Sequence, residues 1–300
     1  MRIVEYDSNH LAHLTTLYNQ FTRAVPHCYP IEAKELARAF GGAYGIESRG
    51  ETLACDAVYV ALDSELLGFV HVGQRRDDHE DKSQCPGVIR FLCYPRGRRD
   101  AGQALLDRAE KWLRGRRIRS VAVFPQKFRY PCYGFAHSHV SDRLDHLQAL
   151  LLFNGYIRMD GEVILDWPDL DPAPPPPLTD LRVDVDIRHE AGKCRLPTVT
   201  LKARLNGQPI GECVHLSGGT FSKRREAEHW AFCNWIGVSE AYQGKGLGRY
   251  LLRRALIEVV STGYRHACIT TAWNNHRAFL FYANHGYVTV DYTREFRREL

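Results

Sequence analysis

Gln243-Gly244-Lys245-Gly246-Leu247-Gly248 stands between an apolar run, Trp230–Val238, and a segment of helical periodicity. The run reads as a strand. After it, Leu247, Leu251, Leu252, Ala255, Leu256 and Val259 fall on one helical face, with Arg249, Arg253 and Arg254 off it, and Gly263 ends the helix. Glycines at 244, 246 and 248 remove side chains where that helix begins. Bare backbone N–H groups and the positive end of the helix dipole then suit a phosphate or diphosphate. The turn is not a Walker loop, because Arg249-Tyr250 follows Gly248 instead of Lys and Ser or Thr. It is not a dinucleotide fingerprint either. Arg249 stands where a third small residue belongs, and Arg265-His266 stand where an acidic residue should follow.

A second pattern follows the strand expected over Ala267–Ala272. Asn275, Ala278, Tyr282 and Gly286 step by three, four and four, which puts them on one helical face, and Tyr287 comes next. Gly286 ends that helix and Tyr287 opens another strand. The two patterns together resemble those of the GNAT superfamily of acyl-coenzyme A N-acyltransferases, and they cover most of the last third of the chain.

The resemblance implies a cofactor, acetyl-coenzyme A, and roles residue by residue. Gln243, Gly244, Lys245, Gly246, Leu247, Gly248 and Arg249 would hold the diphosphate. The strand edge Ile236–Val238 would receive the pantetheine arm and supply an N–H to the developing oxyanion. Tyr282 would protonate the leaving thiolate. Asn275 would bind the cofactor or cap its helix. The base stays open. Some members carry a glutamate where this chain has Phe232, and the nearby candidates are His229 and Glu228, with Asn234 only to orient a water and a water chain to solvent as the alternative.

Bulk properties narrow the class. A net charge of +5 over 300 residues is mild and diffuse, which argues against a nucleic-acid partner and suits an acidic cofactor. No apolar run is long enough for a bilayer, and Met1–Asp7 has no signal-peptide core, so a cytoplasmic protein is expected, with no membrane partner. The 9 cysteines are scattered, without a Cys-x-x-Cys pair, and His137-Ser138-His139 has no acidic or cysteine partner in spacing. No metal is expected.

The proline run Asp171–Pro177 marks a linker, giving domains over 1–170 and 181–300 joined by 171–180. Both halves read strand–strand–strand–helix–strand–helix–strand. The expected fold class is α/β, in the α+β mixed-sheet sense: two tandem GNAT-like domains, each a mostly antiparallel mixed sheet flanked by helices. In the first half Leu105-Leu106 follow Gly102 as Leu251-Leu252 follow Gly248. Gly102 therefore matches Gly248, and Asp100 falls in the place of Gly246. A carboxylate there repels a diphosphate. Leu151 and Leu144 replace the tyrosine and asparagine of the second pattern, so the first domain is expected to be degenerate and the second catalytic. Gln126–Val140, rich in aromatics, is either loop packing or an acceptor wall.

The function expected is acetyl transfer to a primary amine of a small molecule, by direct attack in a ternary complex. The alternatives are a non-catalytic acyl-coenzyme A-binding or regulatory protein, and an acetyltransferase for protein N-termini or lysines.

Overall fold

The computed structural model describes residues 1–76, 85–178 and 182–300. The end of the expected linker and the expected start of the second domain, residues 179–181, lie outside them. The chain forms two compact units: 1–163 with 272–274 and 291–300, and 164–271 with 275–290.

The first unit contains, in chain order, β1 (Arg2–Glu5), α1 (Leu11–Thr22), α2 (Ala33–Phe40), β2 (Leu53–Leu62), β3 (Leu66–Arg75), β4 (Gly87–Cys93), α3 (Arg99–Arg114), β5 (Ser120–Val123), β6 (Val140–Ser141), α4 (Asp145–Phe153) and most of β7 (Ile157–Trp167). β1 to β4 pair antiparallel in sequence order, and β4 pairs parallel with β5. The parallel step needs a crossover, which α3 supplies. Helix α3 buries Leu105, Leu106, Ala109 and Leu113.

An aromatic core sits around Phe91, whose ring stacks on Phe124 at 4.6 Å and Tyr130 at 4.9 Å. Phe128, Tyr130, Tyr133 and Phe135 are all buried, so the aromatic segment 126–140 is loop packing rather than a wall. The buried Arg90 guanidinium fixes it to α2, donating to the carbonyls of Phe128 (2.8 Å), Ala39 (2.7 Å) and Ala43 (2.6 Å). Three acceptors and the faces of Tyr44 and Tyr130 compensate a charge that burial alone would penalise.

The second unit contains the end of β7, then β8 (Asp184–Glu190), β9 (Thr198–Leu205), β10 (Gln208–Ser217), the one-turn α5 (Arg225–Glu228), β11 (Trp230–Val238), α6 (Leu247–Ser261), most of β12 (His266–Ala272), α7 (His276–Ala283) and the start of β13 (Val288–Glu299). Here β8 to β11 are antiparallel neighbours, and β11 pairs parallel with β12 across the α6 crossover. Helix α6 buries the predicted face, Leu247 to Val259. Residues 171–178 carry no regular structure.

The units do not end where the proline run suggests. The C-terminal residues 291–300, expected in the second domain, complete the first unit. Phe296 to Glu299 pair antiparallel with Val123 to Ser120, and Phe296 is fully buried in the first core. In return, residues 164–170 belong to the second unit. Trp167 packs edge-to-face on Tyr287 at 5.8 Å and covers Gly286, while the Leu170 amide donates to the Arg265 carbonyl at 2.8 Å.

Candidate functional site

The site of the second unit starts from a fault in its sheet. β10 pairs with β11 as Val214 with Trp235, and the next pair is His215 with Cys233. Asn234 is the extra residue, a β-bulge. The parallel pairing of β11 with β12 runs from Trp230–His266 to Cys233–Ile269, and no described pair lies beyond it. Past the bulge the backbone of β11 thus has an edge free of ladder bonds on the β12 side. The Val238 carbonyl there accepts from the side chain of Gln243 at 2.9 Å.

The glycine turn continues from that edge. Gly244 has φ 77° and Gly246 φ 82°, the left-handed region that L side chains rarely adopt. A methyl group added at either would meet nothing within 4 Å, so conformation rather than crowding selects glycine, and the space above the turn is open. Gly246 is the N-cap of α6. The first-turn amides of Leu247, Gly248 and Arg249 have no intrahelical acceptor. Among the described residues none of the amides of 244–249 donates to a backbone carbonyl outside the helix. Arg277 steadies the turn by donating to the Gln243 side-chain oxygen at 3.0 Å.

Edge and turn together form a groove of about 580 Å³. Of the residues expected to hold a cofactor, Ile236, Val238, Gln243, Gly244, Gly246, Gly248, Arg249 and Asn275 line it. Leu247 is buried beneath it and offers only its amide, while the Lys245 ammonium stands over the Tyr242 ring at 5.5 Å. Asn275 caps α7, accepting from the Ala278 amide at 3.2 Å. Trp235, Arg277 and Phe281 also line the groove and were not foreseen. Arg277 had a signal in its place, a cation in the first turn of the helix that faces the glycines.

Tyr282 lies one helical turn beyond Ala278 on the same face of α7 and is only 6% exposed. Burial pushes its phenol pKa well above the ordinary value, and the neighbouring Cys233 and Cys213 add to the effect. The phenol is therefore a protonated donor at neutral pH. His229 does not line the groove. It closes α5 ahead of β11, and its carbonyl accepts the amides of Arg265 (3.0 Å) and His266 (3.1 Å). At about 3.3 Å per strand residue it stands roughly 16 Å along the chain from the bulge. Its pKa is lowered, first by burial and then by Arg265, Arg195 and Arg225.

The equivalent place in the first unit is filled. A methyl group at Gly102 would lie 2.7 Å from the Tyr94 ring. At Gly248 the nearest atom, of Val238, would be 3.8 Å away. The Tyr94 hydroxyl donates to the His146 carbonyl of α4 at 2.8 Å, so the phenol bridges the two helices between which the second unit keeps its groove. Asp100, at the start of α3, is held down to a pKa of about 2, chiefly by its hydrogen bonds from Arg98 at 3.1 and 2.9 Å.

A bulged strand splayed from its parallel neighbour, a glycine turn opening the crossover helix, and a capped helix carrying a buried tyrosine thus meet in the second unit. Residues 163–287 match the acetyltransferase (GNAT) family. Among curated relatives, mycothiol acetyltransferase of Jonesia denitrificans is 28% identical over 83 residues, covering 28% of this chain and 26% of the relative. The match thus spans about a quarter of that protein. A tandem GNAT protein from the clavulanic acid biosynthesis pathway superposes with a TM-score of 0.65 at 13% identity, over 99% of this chain and 98% of that one. A GCN5-related glucosamine N-acetyltransferase region of a fungal multi-domain GH3 β-N-acetylglucosaminidase gives 0.63 at 14%, over 99% of this chain and 38% of the other. At such identities the structural likeness is one of fold. Among the described residues no helix is long and apolar enough to cross a membrane.

Proposed function

We propose that the second unit transfers an acetyl group from acetyl-coenzyme A to the primary amine of a small molecule, by direct attack within a ternary complex. The observation that carries this reading is the contrast between the open glycine turn at 244–248 and its counterpart closed by Tyr94.

The groove suggests the division of labour. Amides of the turn and the first turn of α6 hold the diphosphate, with Arg249 and Arg277 adding positive charge. The free edge Ile236–Val238 pairs with the amide-bearing pantetheine arm as another strand would. A backbone N–H at or just past the bulge meets the oxyanion as the amine attacks the thioester carbonyl. The carbon–sulfur bond breaks, and the neutral Tyr282 phenol gives its proton to the leaving thiolate. Among the described residues the groove lining holds no carboxylate and no histidine, and this reading assigns the attacking amine's proton to a water chain. The first unit serves as a degenerate, non-catalytic partner in this reading.

The test is thermal denaturation with and without acetyl-coenzyme A, for the wild type and Gly246→Asp. The wild type gains stability on binding and the variant does not, because a carboxylate in the turn repels the diphosphate. A cofactor that shifts neither protein contradicts the reading. Thiol release with a panel of amines separates an enzyme from a binding protein of the same groove. Peptide N-termini and lysines in that panel separate protein acceptors from small ones.

A further inference from the structure

Three buried side chains on β10 and β11 form a cluster that acetyl transfer does not use. Cys213 and His215 are two apart on β10 and share one face of the sheet. The bulge at Asn234 brings Cys233 directly opposite His215 on that face. The Cys213 sulfur is 3.8 Å from His215 Nδ1, and one ligand atom from each of the three residues lies within 4.8 Å of the others. Cys213 and His215 are fully buried and Cys233 is 3% exposed.

Two polar atoms nearby are stranded. Among the described residues neither His215 Nε2 nor the Tyr287 hydroxyl has a hydrogen-bond partner, and both are buried. Buried polar groups in folded proteins are almost always satisfied, so each such orphan calls for an explanation.

Two thiols and an imidazole converging without a carboxylate are ligands for a soft or borderline cation, not for magnesium or calcium. Zinc–sulfur bonds of about 2.3 Å and zinc–nitrogen bonds of about 2.0 Å place neighbouring tetrahedral ligand atoms roughly 3.5 Å apart, which the cluster accommodates with small side-chain shifts. We propose that the second unit binds one zinc-class divalent ion through Cys213, His215 and Cys233. Its fourth position is left for water. On binding, both thiols lose their protons to solvent and the ion's charge balances the two thiolates. The ion clamps β10 to β11 where the bulge interrupts their ladder. This inference is independent of the acetyl-transfer reading.

The wild-type chain, reduced and freed of metal, is titrated with cobalt(II) and then with zinc(II). A thiolate-to-cobalt charge-transfer band with tetrahedral visible bands, displaced by zinc at about one equivalent, is expected. Cys213→Ser and Cys233→Ser lose the band, whereas Cys55→Ser, at an exposed cysteine, retains it. A chelator lowers the melting temperature of the zinc-loaded wild type only. The proposal is overturned by a wild type that shows no thiolate band and no stoichiometric zinc. A Cys213→Ser/Cys233→Ser double variant that keeps the ion overturns it as well. So does a Cys213–Cys233 disulfide that persists through the reduction.

Discussion

Gly102 and Gly248 occupy matching places at the start of two crossover helices, and their surroundings make opposite demands. A methyl group at Gly102 runs into the Tyr94 ring at 2.7 Å, whereas at Gly248 it is 3.8 Å from its nearest neighbour. Gly102→Ala should therefore destabilise the first unit by about 1–3 kcal/mol through overpacking. Gly248→Ala should leave the melting temperature unchanged or slightly raised, since alanine favours a helix, yet weaken acetyl-coenzyme A binding. Calorimetry and cofactor titration on the pair check both. Tyr282→Phe should lower kcat by about a hundredfold or more with little effect on cofactor affinity. Because its phenol is held protonated well above its ordinary range, kcat/KM should rise with pH as the amine deprotonates, with no loss from Tyr282 through about pH 9. The correspondence of these two glycines was legible from the leucine pairs that follow each. Tyr94 was not legible, because only the fold brings its ring to Gly102.

The helices were read closely, since an apolar stripe and terminal glycines mark them. The start of β2 at Leu53 carried no strand signal, because the three residues after Leu53 are exposed and lack alternation. The bulge at Asn234 left no mark in the sequence, although it frees the strand edge and aligns Cys233 with His215. A search for Cys-x-x-Cys spacing passes over ligands assembled across two strands. Elements of the first unit also carry opposing titrations. Burial raises Asp291, on β13, to a pKa of about 6, even though the Ser141 hydroxyl donates to it at 2.5 Å. The folded state holds that proton more tightly than the unfolded chain. Its contribution is therefore full below about pH 4 and is lost as pH rises through 6. Burial lowers His71, on β3, to about 4, despite its 2.9 Å bond to Asp56. The unfolded chain binds that proton more tightly, so this contribution is full above about pH 6.5 and is lost as pH falls through 4. The two nearly offset. Asp291→Asn removes the first of these contributions, so its stability relative to the wild type should rise between about pH 4 and 6, as denaturant titrations across that range would show.

At the scale of the molecule, the proline run located the linker but not the exchange of segments around it. Which neighbour a strand chooses is decided by packing, and the alternation in 291–299 fits any open sheet edge. Because Phe296 is fully buried in the first core, Phe296→Ala should cost about 3–5 kcal/mol. The loss should appear as faster amide exchange in β5 rather than in α6, although the residue is four from the C-terminus. The repeat itself could be read from the order of its elements and the spacing of its motifs.

Hydrogen–deuterium exchange with and without acetyl-coenzyme A tests the central claim most directly. Protection is predicted in residues 236–250 and at the start of α7, with the counterpart segment 94–106 unchanged. Protection confined to 94–106, or none in either segment at saturating cofactor, would contradict the account.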